Sequence, residues 1–139
     1  MNAMNTKTPV VLIARVLLAL MFILAGFSKF AGLAGTAGYI ASKGLPMPAV
    51  LAFLTALLEV VGGLAIAVGF HARIAALALA SFTLLATLLF HNFWAVPADQ
   101  QMVQQLMFMK NLSVAGGLLL LFVSGAGGAS IDSRRLAAA

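Results

Sequence analysis

The sequence has little charge and no cysteine. Of its 139 residues only 8% are charged, and just three are acidic. A soluble domain carries about a quarter charged residues. With 63% apolar residues the chain has too little polar surface to clothe a globule in water, whereas lipid needs no such covering. It therefore reads as an integral membrane protein. The missing cysteine excludes disulfides, thiolate metal sites and any dithiol redox motif in these residues. Redox chemistry, where it occurs, must be carried by a cofactor, a substrate or a partner. Because acids are scarce the net charge is +5. The basic residues stand singly (Lys7, Arg15, Lys29, Lys43, Arg73, Lys110) apart from Arg134-Arg135. A nucleic-acid footprint would gather them on one face, so no nucleic-acid partner is expected. The excess reads as topology signal.

What the chain has is long apolar runs. Four of them, roughly 10–29, 49–70, 74–91 and 102–123, have the length a helix needs to cross a bilayer. The expected fold is all-α: one membrane domain over 1–139, a bundle of four transmembrane helices. Met1 to Pro9 reads as a short frayed tail. Arg15 interrupts what would be the hydrophobic core of a signal peptide, and three more spans follow, so the first span reads as a retained helix. Between the first two spans, a short interfacial helix over roughly 36–43 is expected. Thr36 would cap it, Gly44 would end it, and Pro46 and Pro48 would prevent its continuation. His71-Ala72-Arg73 is a tight turn that makes the second and third spans antiparallel neighbours. Four spans put both termini on one side with Lys7, Arg15, Arg73, Arg134 and Arg135, against Lys29, Lys43 and Lys110 on the other. The positive-inside rule then places the termini in the cytoplasm.

Glu59 stands at the centre of the second span. A carboxylate there costs about 2.5–3.5 kcal/mol on insertion scales, so it should face protein or water and have a partner. Counted by helical rise from the outer ends of the spans, Glu59 lies about 15 Å deep and Lys110 about 9–12 Å. Lys110 is the best-matched ion partner by depth, and Arg15 is second. Polar or small stripes support a shared pocket in the outer half of the bundle: Arg15, Leu18, Phe22, Gly26 and Lys29 on the first span, Thr83, Thr87 and His91 on the third, and Lys110, Ser113 and Gly117 on the fourth. The polar first half of the last span, with Gln104, Gln105, Lys110 and Asn111, must turn inward or toward water.

Glu59, Lys110 and His91 are the candidate proton and ligand site. Histidine changes charge nearest neutrality, which makes His91 the natural proton carrier. Arg15, Lys29, Trp94 and Asn111 are candidate ligand contacts. Each has a plainer reading. Glu59 with Lys110 also reads as an ion pair fixing register. Lys29 reads as a lysine snorkelling to the interface, and His91 beside Trp94 as an interface pair. Gly62-Gly63 and Gly116-Gly117 read first as points of close helix approach. His71 and His91 lie at opposite membrane faces and cannot share an ion, so no metal site is expected.

An ordered set of stretches carries a resemblance. These are Arg15-Val16-Leu17-Leu18 with Ala25-Gly26-Phe27-Ser28-Lys29, the run Tyr39 to Pro48, Glu59 with Gly62-Gly63, and the turn ending in Arg73. His91-Asn92-Phe93-Trp94, Lys110-Asn111-Leu112 with Gly116-Gly117, and Ser130-Ile131-Asp132 complete it. Over nearly its whole length the chain resembles the DoxX family of small four-helix bacterial membrane proteins. That resemblance implies a multi-pass protein of the bacterial inner membrane. Some relatives are described as quinone-linked subunits of thiosulfate oxidation, others as membrane anchors in oxidative-stress complexes. The leading expectation is a redox-linked subunit that binds a quinone or similar lipid-soluble molecule, with a soluble redox partner. A non-enzymatic anchor or assembly partner comes second and a small transporter, requiring homo-oligomerisation, third. No cofactor is expected within the chain beyond such a quinone-like molecule. At most the chain is the membrane subunit of an oxidoreductase, since it holds no self-contained catalytic constellation.

Overall fold

The apolar runs form helices because in lipid each backbone N–H and C=O must be met within its own segment. In a computed structural model, which describes residues 3–138 with side chains from Pro9 onward, six α-helices follow one another: α1 (Ala3–Ala31), α2 (Leu33–Ser42), α3 (Pro48–Val68), α4 (Ala72–Phe90), α5 (Ala98–Ser124) and α6 (Ile131–Ala137). There is no strand among the described residues. Four of the helices, α1, α3, α4 and α5, are long and apolar enough to cross a membrane. The 21 residues of α3 span about 30 Å, the thickness of the hydrocarbon core. Large apolar side chains such as Leu17, Leu24, Val61, Leu85 and Leu120 point outward, where lipid covers them.

Several boundaries differ from the sequence expectation. The segment before Pro9 is helical from Ala3 rather than frayed; Met1, Asn2 and the side chain of Lys7 lie outside the described range. Thr36 does not cap α2. The helix begins three residues earlier, after Gly32, and the Thr36 hydroxyl donates back to the Gly32 carbonyl at 3.2 Å. The turn between α3 and α4 is 69–71, with Gly69 and His71 both at positive φ. Asn92 leads into a single 3₁₀ turn, Phe93–Ala95, and α5 starts at Ala98, a turn earlier than the apolar run suggests. The C-terminal α6 has no apolar period and was not expected.

Small residues set the packing. On α1, Gly26 lies against α3 so closely that a Cβ there would stand 2.6 Å from Val60 Cγ2 and 2.9 Å from the Ala56 carbonyl. The neighbouring glycines of α3 serve two different partners. Gly63 faces Ile23 and Ala19 of α1, while Gly62 faces Leu79 of α4. Gly117 faces Leu18 of α1, but Gly116 has open space around it. The close-approach reading thus holds for three of these four. A central core of Ala19, Phe22, Ile66, Leu79 and Leu118 joins the four spans.

The end of the bundle that carries the termini is tied together by Arg15. Its side chain is 2% exposed. The guanidinium donates to the carbonyl of Ala126, to Ala67 at 3.2 Å and to Ala129 at 2.7 Å. Around this tie, the Asp132 carboxylate accepts from the backbone N–H groups of His71 at 2.8 Å and Ala72 at 2.9 Å, capping α4 from a distant part of the chain. Ser130 caps α6 by accepting from Ser133 N–H. This corrects two expectations for Arg15, as second partner of Glu59 and as ligand contact. It lies 14 residues before Lys29 on one helix, about 21 Å along the axis, and its two terminal nitrogens donate to backbone carbonyls while Nε has no partner.

Arg15→Leu leaves those carbonyls buried without donors. Hydrogen bonds to charged groups are worth about 1.5–3 kcal/mol each. The expected result is a fall in melting temperature in detergent on the order of 10 °C, with new protease cleavage between Gly125 and Ser130. Unchanged melting and cleavage would refute the role given to Arg15.

Candidate functional site

At the opposite end, a cavity of about 330 Å³ lies between α1, α2, α3, α4 and α5. Its polar groups include Lys29, Glu59, Thr83, His91, Lys110 and Asn111, set among Met21, Phe22, Phe82 and Phe90. Five of the seven residues singled out from the sequence therefore meet around one space. Arg15 and Trp94 do not line it. Trp94 is exposed and stacks edge-on with Phe93 and Phe108, at centroid distances of 5.2 and 5.8 Å. That is an aromatic cluster suited to the membrane interface.

The partner of Glu59 is Lys29, not Lys110. Lys29 Nζ lies 2.7 Å from Glu59 Oε2, the single salt bridge among the described residues. The reason is the direction in which helical side chains lean. Each tilts toward its own helix N-terminus. α1 and α3 are antiparallel, so Lys29 reaches inward along the axis while Glu59 reaches outward to meet it. Gly26, one turn before Lys29, holds the two helices close enough for the contact. Lys110 sits on α5, whose N-terminus is at the cavity end, so its side chain leans toward the rim and is exposed. Depth counted at Cα positions ranked the two lysines wrongly. Lys29 carries its ammonium into the bundle on a four-carbon stem and keeps only 30% of its side chain exposed.

Each remaining polar group has its own setting. His91 ends α4, and its Nδ1 lies 2.9 Å from Gln104 Oε1 on α5. This contact fixes the orientation of the imidazole ring against α5. Thr87 donates to the Thr83 carbonyl at 2.6 Å. The Thr83 hydroxyl itself is buried with no hydrogen-bond partner. α2 lies across the cavity, with Thr36, Tyr39 and Ile40 on its wall. It is fastened by the Tyr39 hydroxyl donating to the Phe90 carbonyl at 3.3 Å and by the two rings at 5.3 Å. Sequence reasoning gave Tyr39 only an interfacial place and did not name Gln104 as a site residue. The signal for Gln104 was the polar first half of the last span. For Tyr39 there was none, since contact across 51 residues leaves no local pattern.

A bundle of four spans with a carboxylate–lysine pair beside a mixed polar cavity defines a small multi-pass membrane protein. The chain belongs to the DoxX family, which it matches over residues 10–92. It is 48% identical over 125 residues to the inner membrane protein YqjF of Escherichia coli, covering 88% of each chain. It is 38% identical over 123 residues to the inner membrane protein YphA of the same organism, again covering 88% of each. A more distant similarity, 26% over 137 residues, reaches the ER-derived vesicles protein ERV29 of Saccharomyces cerevisiae, with 97% of this chain set against 37% of that one. No solved structure matches. The chain is a multi-pass protein of the inner membrane, in contact with the lipid bilayer.

The ion pair yields a stability test. Lys29→Met leaves the Glu59 carboxylate buried alone, which costs about 3–5 kcal/mol, whereas replacing both partners by apolar residues is close to neutral. Unfolding in detergent should therefore show a strong loss for Lys29→Met and recovery of most of it in Lys29→Met/Glu59→Leu. A double variant as unstable as the single one would show that the pair is not what holds Glu59.

Proposed function

We propose that the protein, with its termini in the cytoplasm, is a redox-linked membrane subunit that binds the head of a quinone or similar lipid-soluble carbonyl compound in this cavity. The observation that carries the reading is the buried Thr83 hydroxyl without a partner, on the wall of a cavity shared with Lys29–Glu59, His91 and Lys110. Unmet buried polar groups are costly, and a carbonyl oxygen would accept from this one. A volume of about 330 Å³ lies at the small end of ligand cavities. It suits a ring-sized head whose apolar tail stays in lipid.

Reduction of such a molecule consumes two electrons and two protons. The electrons are assigned to a soluble redox partner, because the chain has no cysteine. Protons are assigned to Glu59, close to the Lys29 ammonium, and to His91, oriented by Gln104. Lys110 and Asn111 at the rim would hold a second oxygen. A membrane anchor for a soluble redox enzyme is the second reading. It is favoured by the salt bridge itself, which a purely structural role also explains.

The test is purification in mild detergent, followed by mass spectrometry of all that stays bound. A stoichiometric quinone-like compound is expected. Thr83→Val should weaken its retention about tenfold, the worth of one lost hydrogen bond to a buried partner. Glu59→Gln should keep the fold and the binding but abolish electron transfer to added quinone. A protein partner retained with no small molecule would favour the anchor, and full activity of Glu59→Gln would remove its proton role.

A further inference from the structure

A second cavity, about 630 Å³, lies at the terminal end between the α3–α4 turn, the end of α5 and α6. Its basic side chains come from three elements: His71 in the turn, Arg73 in the first turn of α4 and Arg135 on α6. The carboxylate on its wall, Asp132, already accepts two backbone N–H groups, one on each oxygen. No salt bridge joins it to Arg73 or Arg135 among the described residues. Arg73 Nη1 donates to the Phe122 carbonyl at 3.0 Å, and Arg135 Nη1 lies 3.0 Å from His71 Nε2. Each contact uses one nitrogen of a guanidinium that carries five N–H donors.

The level of this cavity in the membrane is fixed by its walls. α3 ends at Val68 and α4 begins at Ala72, so the turn marks the end of the spans, where headgroups meet hydrocarbon. Ile74 and Leu136 line the same cavity and are 68% and 81% exposed. We propose that this cavity binds the phosphate of an anionic phospholipid, Arg73 and Arg135 holding its oxygens and Ile74 and Leu136 lying against the acyl chains. A guanidinium fork matches phosphate oxygens, and basic pockets between helices at this level suit phospholipid headgroups. Free phosphate offers the same oxygens but leaves Ile74 and Leu136 in water. The apolar rim selects the lipid.

The test uses the full chain in mild detergent, with native mass spectrometry during titration with phosphatidylglycerol or with phosphatidylcholine of the same acyl chains. One phosphatidylglycerol per chain is expected, held about tenfold more tightly than phosphatidylcholine. That preference should fall about tenfold in Arg73→Gln/Arg135→Gln, in line with loss of a charge-assisted hydrogen bond. Arg134→Gln, which alters a neighbouring arginine outside the cavity wall, should change nothing. Should the double variant not fold, Arg135→Gln alone decides, since it leaves the Arg73–Phe122 contact in place. Equal retention of the two lipids would overturn the proposal. So would displacement of the lipid by equimolar inorganic phosphate, or an equal loss in Arg134→Gln.

Discussion

Lipid offers no hydrogen bonds, and this bundle is built around that constraint. Among the described residues two ionic side chains are buried inside it, Arg15 near one end and Glu59 toward the other. Both sit in the seam between α1 and α3. The seam is close because Gly26, Gly63 and Ala56 present almost no side chain there. Without that approach Lys29 would not reach Glu59, and the Arg15 guanidinium would not reach the Ala67 carbonyl on α3. The small residues are the condition on which both charges are accommodated.

The direction of each helix then decides what faces the cavity. α1 and α3 lean their ions toward each other, and the pair closes on itself. α4 and α5 contribute groups that are not consumed in this way. His91 caps the end of α4 and is held by Gln104, while Lys110 leans toward the rim from the first half of α5. The wall made by α1 and α3 is therefore electrically settled. The opposite wall retains donors and acceptors that face space, and it is there that Thr83 has no partner.

Much of this was legible in the sequence, for identifiable reasons. Four runs of about twenty apolar residues allow no other fold in a membrane, and one glutamate within such a run requires a partner, which it has in Lys29. Spacings of three and four correctly brought Lys29, Thr83, His91 and Lys110 to one region. Three things were not legible. The lean of a side chain along its helix reverses with chain direction, so depth counted at Cα positions chose Lys110 over Lys29. The α6 segment carries no apolar period, and its fold depends on Arg15 and on the N-terminus of α4, each more than fifty residues away in sequence. Arg15 itself was drawn to the pocket by helical facing, which fixes the side of a helix but not the height along it.

The two buried ions differ in a way that separates structure from chemistry. Arg15 is met by three carbonyls from two segments, and its removal would leave nothing but unsatisfied backbone. This arrangement ties the C-terminal segment to α1 and α3. Glu59 is met by one flexible lysine that is still 30% exposed, beside a hydroxyl with no partner and a cavity of about 330 Å³. Polar groups left partly satisfied in a low-dielectric interior are costly, and natural sequences tend to break their local rules at functional sites. An ion pair that fixes register needs no open space beside it, so the cavity next to Glu59 is what the proposed ligand reading rests on. The chain instead keeps a cavity of about 330 Å³ beside Glu59.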